Sequence, residues 1–230
     1  MEEESKVPAV RLRDLRFGWS RRGSALLEIA DFGIDRGERL FLYGPSGSGK
    51  TTLLNLLAGV LLPQQGSVEI LGRDITRMRP FRRDLFRARH VGVIFQQLNL
   101  IPYLDVLGNV LIAPHFAKTD RSGAERHAME LLTTLGMREL LHKPATELSI
   151  GQQQRAAVAR ALVTRPEILI ADEPTSALDS DNRETFMNRM LQMAGENDTT
   201  VIFVSHDRNL QEHFDRHLDI REFTTTGGAA

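Results

Sequence analysis

The chain has 230 residues, 41% of them hydrophobic, enough to bury one sizeable core with at most a smaller subdomain attached. Twenty-nine basic against thirty acidic residues leave a net charge of −1, so bulk electrostatics do not predict nucleic-acid binding. The absence of cysteine removes disulfides and thiolate metal sites and fits a reducing compartment.

The acidic start, MEEESKVPAV, has no apolar signal core, and no apolar run approaches the roughly 20 residues of a membrane helix. A soluble protein is expected, with any membrane link made through a partner. Periodicity then predicts an alternating α/β chain. In AVRLRDLRFGW, Val10 and Leu12 are followed by Leu15, Phe17 and Trp19, a strand with one buried face. RGERLFLYG reads as a strand ending in a glycine turn, and GKTTLLNLLAGV as a helix stopped by Gly59 and Pro63. GSVEIL and HVGVIFQ are further strands. Residues 105–145 read as mostly helical, punctuated by Pro114 and Gly136. A helix after Gly151, the strand EILIAD, a helix from Ser180 and the strand TTVIFVS complete the series. Apolar runs such as ILIA and VIFV suit strands buried on both faces of a parallel sheet. The tail, residues 224–230, is expected to be disordered.

GPSGSGKTT follows a strand and opens a helix, which is the context that G-x-x-x-x-G-K-[ST] requires. Gly44, Gly47 and Gly49 let the backbone turn successive N–H groups inward, and the helix N-terminus adds positive partial charge. Lys50 would reach the β- and γ-phosphates and the Thr51 hydroxyl would ligate Mg²⁺, with Ser46, Ser48 and Thr52 completing the candidate nucleotide contacts. In ILIADEPTSALD, Asp172 ends a buried strand as a second metal-side group. Glu173 follows it directly, placed to orient or deprotonate an attacking water. A GTPase reading of AKTD, residues 117–120, fails, because Ala117 has no polar group and the segment lies in a helical region.

With these residues placed, the chain resembles an ATP-binding cassette (ABC) ATPase over nearly its whole length. The family signature, usually written LSGGQ, reads LSIGQ here, Leu148 to Gln152. The resemblance implies an α/β P-loop fold with a mainly parallel core sheet, an N-terminal antiparallel β subdomain and a helical subdomain at about 97–165. The cassette would span 10–223, after an N-terminal extension of residues 1–9. It also implies that Trp19 stacks on adenine and that Gln96, in VIFQQLNL, touches the metal and the attacking water. Asp179, in SALD, belongs to the loop between sites, and His206, in FVSHD, contacts the γ-phosphate. Two such domains pair head to tail, so Ser149, Gly151 and Gln152 would face ATP held by a second copy. The three glutamines of this segment are expected to add polar contacts there. Ile150 replaces a glycine, which is tolerable if its φ is negative.

The resemblance implies ATP and Mg²⁺ as ligands, an integral membrane permease and a second copy as partners, and a cytoplasmic place on the inner face of the membrane. FRARHVGVIFQQLNLIPYLDVLGNVLIAP is similar to the corresponding segment of lipoprotein-releasing and macrolide-export ATPases. A small-solute importer subunit and a soluble, non-transport ABC ATPase are the alternatives. Two side signals remain. Residues 73–89 hold seven arginines, read as a solvated helix face because Asp74 and Asp84 intervene. His213 and His217, four apart, would share a face only if helical, and no third ligand accompanies them.

Overall fold

The computed structural model describes residues 7–20, 24–175 and 180–224, without the side chains of 180–182. The expected tail from 225 onward, the start of the N-terminal extension and Asp179 lie outside the described residues. In chain order the elements are β1 (Val10–Phe17), β2 (Leu27–Ile34), β3 (Arg39–Tyr43), α1 (Lys50–Leu57), β4 (Gln65–Ile70) and β5 (Arg73–Asp74). Then come α2 (Pro80–His90), β6 (Val91–Ile94), α3 (Val106–Ala117), α4 (Arg121–Thr134) and α5 (Ile150–Leu162). The last are β7 (Ile168–Asp172), α6 (Ser180–Gly195), β8 (Thr200–Val204) and β9 (Arg216–Asp219). They fall into two compact units, the described residues of Met1–Arg83 with Thr200–Ala230, and Asp84–Thr199.

In the first unit, β2-β1-β4-β5 form an antiparallel sheet. Strand β1 explains its own shift of phase. Val10, Leu12, Leu15 and Phe17 are all buried, and the register against β4 jumps between Arg13 and Arg16. Asp14 takes φ 47° at that bulge, so one residue is absorbed and the apolar side chains return to the same face. Gly66 of β4 lies against it with φ 82°, and a Cβ there would come within 2.3 Å of the Arg13 and Asp14 carbonyl oxygens.

Strands β8, β3 and β9 of the same unit run parallel, with β3 in the middle. Every residue of β8 is buried, as TVIFV with no polar alternation demands. Phe41 and Phe203 stack with ring centroids 6.1 Å apart and Phe214 closes the cluster, 5.3 Å from Phe41. The unit therefore holds the carboxyl end of β3, where α1 begins, on a fully packed base.

The second unit pairs β6 with β7 in parallel and packs α3, α4 and α5 together. Gly92 of β6 is needed for that packing, since a Cβ would stand 2.2 Å from the Ala161 carbonyl oxygen of α5. Pro114 does not end α3, which runs to Ala117 and stops at Lys118 with φ 53°. Asp120 caps α4 by accepting from Gly123 N–H, and these hydrogen bonds hold its carboxyl below its ordinary pKa. AKTD is thus a helix end and a helix cap. Of the arginines in 73–89, Arg77 pairs with Asp74, Arg87 with Asp84, Arg83 donates to the Gly59 and Met78 carbonyls, and Arg89 to the Ala117 carbonyl.

The Gly66→Ala variant combines a left-handed backbone with a backbone clash, and it should lose roughly 2 kcal/mol or more of stability. Urea unfolding measures this, and a midpoint equal to that of the native chain would contradict the bulge argument.

Candidate functional site

The candidate phosphate cradle belongs to the first unit. Strand β3 stops at Tyr43, and Gly44, Gly47 and Gly49 take φ 151°, 76° and 93°. Only glycine takes these turns without strain. Gly44 has a second reason, since a Cβ would lie 2.4 Å from Ile220 Cγ2 beyond β9. Helix α1 has no side-chain cap and no acidic residue in its first turn, and its first intrahelical bond runs from Leu53 N–H to Gly49 O at 2.9 Å. A helix start with neither a side-chain cap nor an acidic residue in its first turn is suited to holding phosphate. Lys50 Nζ donates to the Gly44 and Pro45 carbonyls, each at 2.9 Å, which keeps the ammonium at the mouth of the loop. The Ser48 hydroxyl donates to Pro45 O at 2.7 Å and so braces the loop. Thr51 is exposed and Thr52 buried, while Ser46 is exposed at the loop tip.

Two other candidates belong to this unit. Trp19 is 73% exposed and meets Phe17 edge to face, with centroids 5.3 Å apart. An indole so exposed buries little of its own surface in the fold, which suits a stacking platform. His206 is exposed two residues beyond β8, while Ser205 before it is buried. His213 lies in a short 3-10 turn and His217 on β9, so the helical pairing does not form. Among the described residues, no group of three or more His, Cys, Asp or Glu could hold a metal ion by itself.

The second unit carries the acidic candidates. Asp172 ends β7 half-buried, and Glu173 takes φ 49° directly before Pro174. A glutamate in the left-handed region ahead of proline costs on the order of 1–3 kcal/mol and persists only where its surroundings impose it. Gln96 is exposed two residues beyond β6, and Leu98 and Asn99 follow it with φ 56° and 47°.

Helix α5 resolves the signature segment. Ser149 is its N-cap, with Ser149 Oγ accepting from Gln152 N–H at 3.3 Å and Gln152 Oε1 accepting from Ser149 N–H at 3.0 Å. This is a reciprocal capping box. Gln153 Nε2 donates to Leu148 O at 3.1 Å, and the almost fully buried Gln154 donates to Pro174 O at 2.9 Å. Each of the three glutamines thus has one amide atom bonded within the chain, while Gln152 and Gln153 stay half-buried and Gln154 is buried. Ile150 opens the helix, 54% exposed, and is absent from the residues with positive φ. A Cβ on Gly151 would meet nothing within 4 Å, and the Ile150 and Gly151 N–H groups have no partner among the described residues. The Ser149 O–H remains able to donate.

Sequence reasoning overlooked the capping box, although the S-x-x-Q spacing announces it. It also overlooked Arg160, near the other end of α5, which donates to the carbonyls of Leu98 at 2.5 Å and Asn99 at 2.6 Å. No local pattern in the sequence marks that contact.

Comparisons with known proteins show the family and the fold. The family model described as ABC transporter matches residues 27–176. The bacitracin export ATP-binding protein of Halalkalibacterium halodurans is 35% identical over 206 residues, covering 90% of this chain and 81% of that protein. The lipoprotein-releasing system ATP-binding protein of Bacteroides fragilis is 38% identical over 194 residues, covering 84% and 89%. A macrolide export ATP-binding/permease protein of Shewanella sp. strain ANA-3 is 41% identical over 198 residues, and this chain spans only 30% of its length. Among solved structures, the dimeric bacterial ABC transporter cassette MJ0796 matches with TM-score 0.81 and 32% identity, covering 92% of this chain and 94% of that one. The same cassette, in a dimeric post-hydrolysis state bound to ADP and Pi, matches at TM-score 0.81 and 31% identity, over 96% and 100%. The chain belongs to the ABC transporter family, as an ATP-hydrolysing cassette with the α/β P-loop fold.

Because Ile150 already has a helical backbone, Ile150→Gly should leave ATPase activity within about threefold of the native rate while lowering stability slightly, by roughly 0.5–1 kcal/mol. Steady-state phosphate release checks this, and a gain of about tenfold would mean that the isoleucine obstructs the site.

Proposed function

We propose that this cassette pairs with a second copy of itself around two ATP molecules and drives an integral membrane permease of the export or lipoprotein-release kind. The observation that carries the proposal is the start of α5. Neither residue after Ser149 needs to be small for the fold's own sake, since Gly151 faces open space and takes no positive φ. A glycine retained there suits the close approach of something outside the chain. Its exposed hydroxyl and unbonded N–H groups make that visitor an anion, and the triphosphate presented by a second copy has the right charge.

The roles follow from chemistry. The loop Gly44–Gly49 wraps the β- and γ-phosphates, and Lys50 neutralises the charge that develops as the γ-phosphoryl group transfers. Trp19 stacks on the adenine. Water attacks the γ-phosphorus in line as the bond to the bridging oxygen of ADP breaks, and Glu173 orients that water and takes up its proton. His206 contacts the γ-phosphate, and the exposed position just past β8 supports that part. By their chemistry, Thr51 of the first unit and Asp172 and Gln96 of the second would each serve Mg²⁺, with a hydroxyl, a carboxylate and an amide oxygen of the kind that ion takes. Mg²⁺, when bound, supplies charge neutralisation and a template for the phosphates. Ser149 and Gly151 hold the partner's γ-phosphate, while Gln152 serves by fixing Ser149.

Placement at the inner face of a membrane, through the permease, belongs to the same proposal. It accords with the export and lipoprotein-release names of the relatives, and no helix among the described residues is long and apolar enough to cross a bilayer.

The Glu173→Gln variant removes the base and preserves shape, so ATP should bind within about threefold of native affinity while turnover falls by about a hundredfold or more. Equilibrium nucleotide binding and phosphate release measure the two quantities. Hydrolysis at the native rate would remove Glu173 from its role.

A further inference from the structure

The segment that follows β6 has to hold Gln96 steady, yet its backbone is poorly suited to doing so alone. Leu98 and Asn99 are consecutive residues in the left-handed region, and neither is glycine. The turn's own hydrogen bonds are Leu98 N–H to Phe95 O at 2.9 Å and Asn99 N–H to Gln97 O at 2.6 Å. Farther along, the fully buried Asn109 grips Ile101 from both sides, accepting from its N–H at 2.6 Å and donating to its carbonyl at 3.1 Å. Between these anchors, both carbonyls of the strained pair are taken by one group, the Arg160 guanidinium, with Nη2 on Leu98 O and Nη1 on Asn99 O. Two fixed donors on adjacent carbonyls set the orientation of the turn as well as its position.

Arg160 is an unusual choice for a purely structural staple. Burial lowers its pKa from the ordinary guanidinium value, and among the described residues no carboxylate pairs with it. Its charge is answered by the two loop carbonyls, so the cation and the turn each depend on the other. The same helix begins at Ser149, about 16 Å away at the rise of an α-helix. Gln154, between them, bonds Pro174 beside Glu173.

We propose that Arg160 is a positioning residue for ATP hydrolysis. It holds the Leu98–Asn99 turn so that Gln96 is correctly aimed, and it ties that aim to the helix whose start carries the signature serine. The inference rests on the assignment of Gln96 given above. Arg160 touches neither nucleotide nor water and acts through the loop.

The test uses the full chain and four variants: Arg160→Gln, Arg160→Lys, Gln96→Ala and the Gln96→Ala/Arg160→Gln pair. ATPase kcat and KM are read together with affinity for the fluorescent nucleotide TNP-ATP. Arg160→Gln should lower kcat about tenfold or more while nucleotide affinity stays within about threefold. Arg160→Lys should recover little, because one ammonium does not reproduce the planar fork. The paired variant should be no slower than Gln96→Ala alone, since the arginine acts only through that glutamine. If Arg160→Gln does not yield soluble protein, Arg160→Lys carries the same comparison. A slow Gln96→Ala beside a native Arg160 variant would overturn the positioning role alone, as would losses that multiply in the pair. A native Gln96→Ala beside a slow Arg160→Gln would overturn the assignment of Gln96, and the aim attributed to Arg160 with it.

Discussion

Helices α1 and α5 start without a carboxylate at the N-cap or in the first turn, from Gly49 and Ser149. Most helices in globular proteins meet their first N–H groups with a side-chain oxygen, and α3 and α4 do so here through Asp105 and Asp120. Helix α1 has no side-chain cap and opens from glycine turns. Helix α5 has a cap, yet the cap leaves two N–H groups and a hydroxyl facing outward. Nothing acidic stands in the first turn of either helix. An anion with several oxygens satisfies both kinds of opening, and a nucleoside triphosphate has them at one end. The rest of the molecule serves to hold these two openings in shape.

Each unit meets that need in its own way. In the first, the aromatic base of Phe41, Phe203 and Phe214 fixes the end of β3, and Ile220 leaves Gly44 no room for a side chain. In the second, α5 acts as a brace. Its start is locked by the capping box, its middle bonds Pro174 beside the strained Glu173, and its end grips the turn after Gln96. Left-handed backbone at Glu173, Leu98 and Asn99 marks where the loops are held against their own preference, and such strain is sustained only by contacts of this kind. The candidate residues Glu173 and Gln96 are thus flanked by contacts of a helix whose own beginning is the candidate phosphate contact.

The sequence disclosed these features unevenly, for physical reasons. The phosphate loop was legible because glycines, lysine and threonine at fixed spacing between a strand and a helix admit few other uses. Strand β1 was legible by its apolar residues, but the change of phase between Leu12 and Leu15 became intelligible only with the bulge at Asp14 and Gly66. Strand β2 escaped notice because Asp31 interrupts its alternation on an edge facing solvent. Pro114 suggested a boundary, yet α3 continues past it. The intrachain bonds of the glutamines were not legible, since a Gln154 amide that bonds a carbonyl twenty residues away leaves no periodic trace. Arg160 was invisible for the same reason.

The central claim is that one triphosphate is held by two chains, through the glycine loop of one and the Ser149 turn of the other. Sedimentation velocity of Glu173→Gln with and without a second change, Ser149→Glu, tests it most directly. With magnesium and ATP, the single variant should sediment as a dimer. The double variant should stay monomeric while binding ATP normally, because a carboxylate at the α5 N-cap repels the incoming phosphate. Undiminished dimerisation of the double variant would contradict the account.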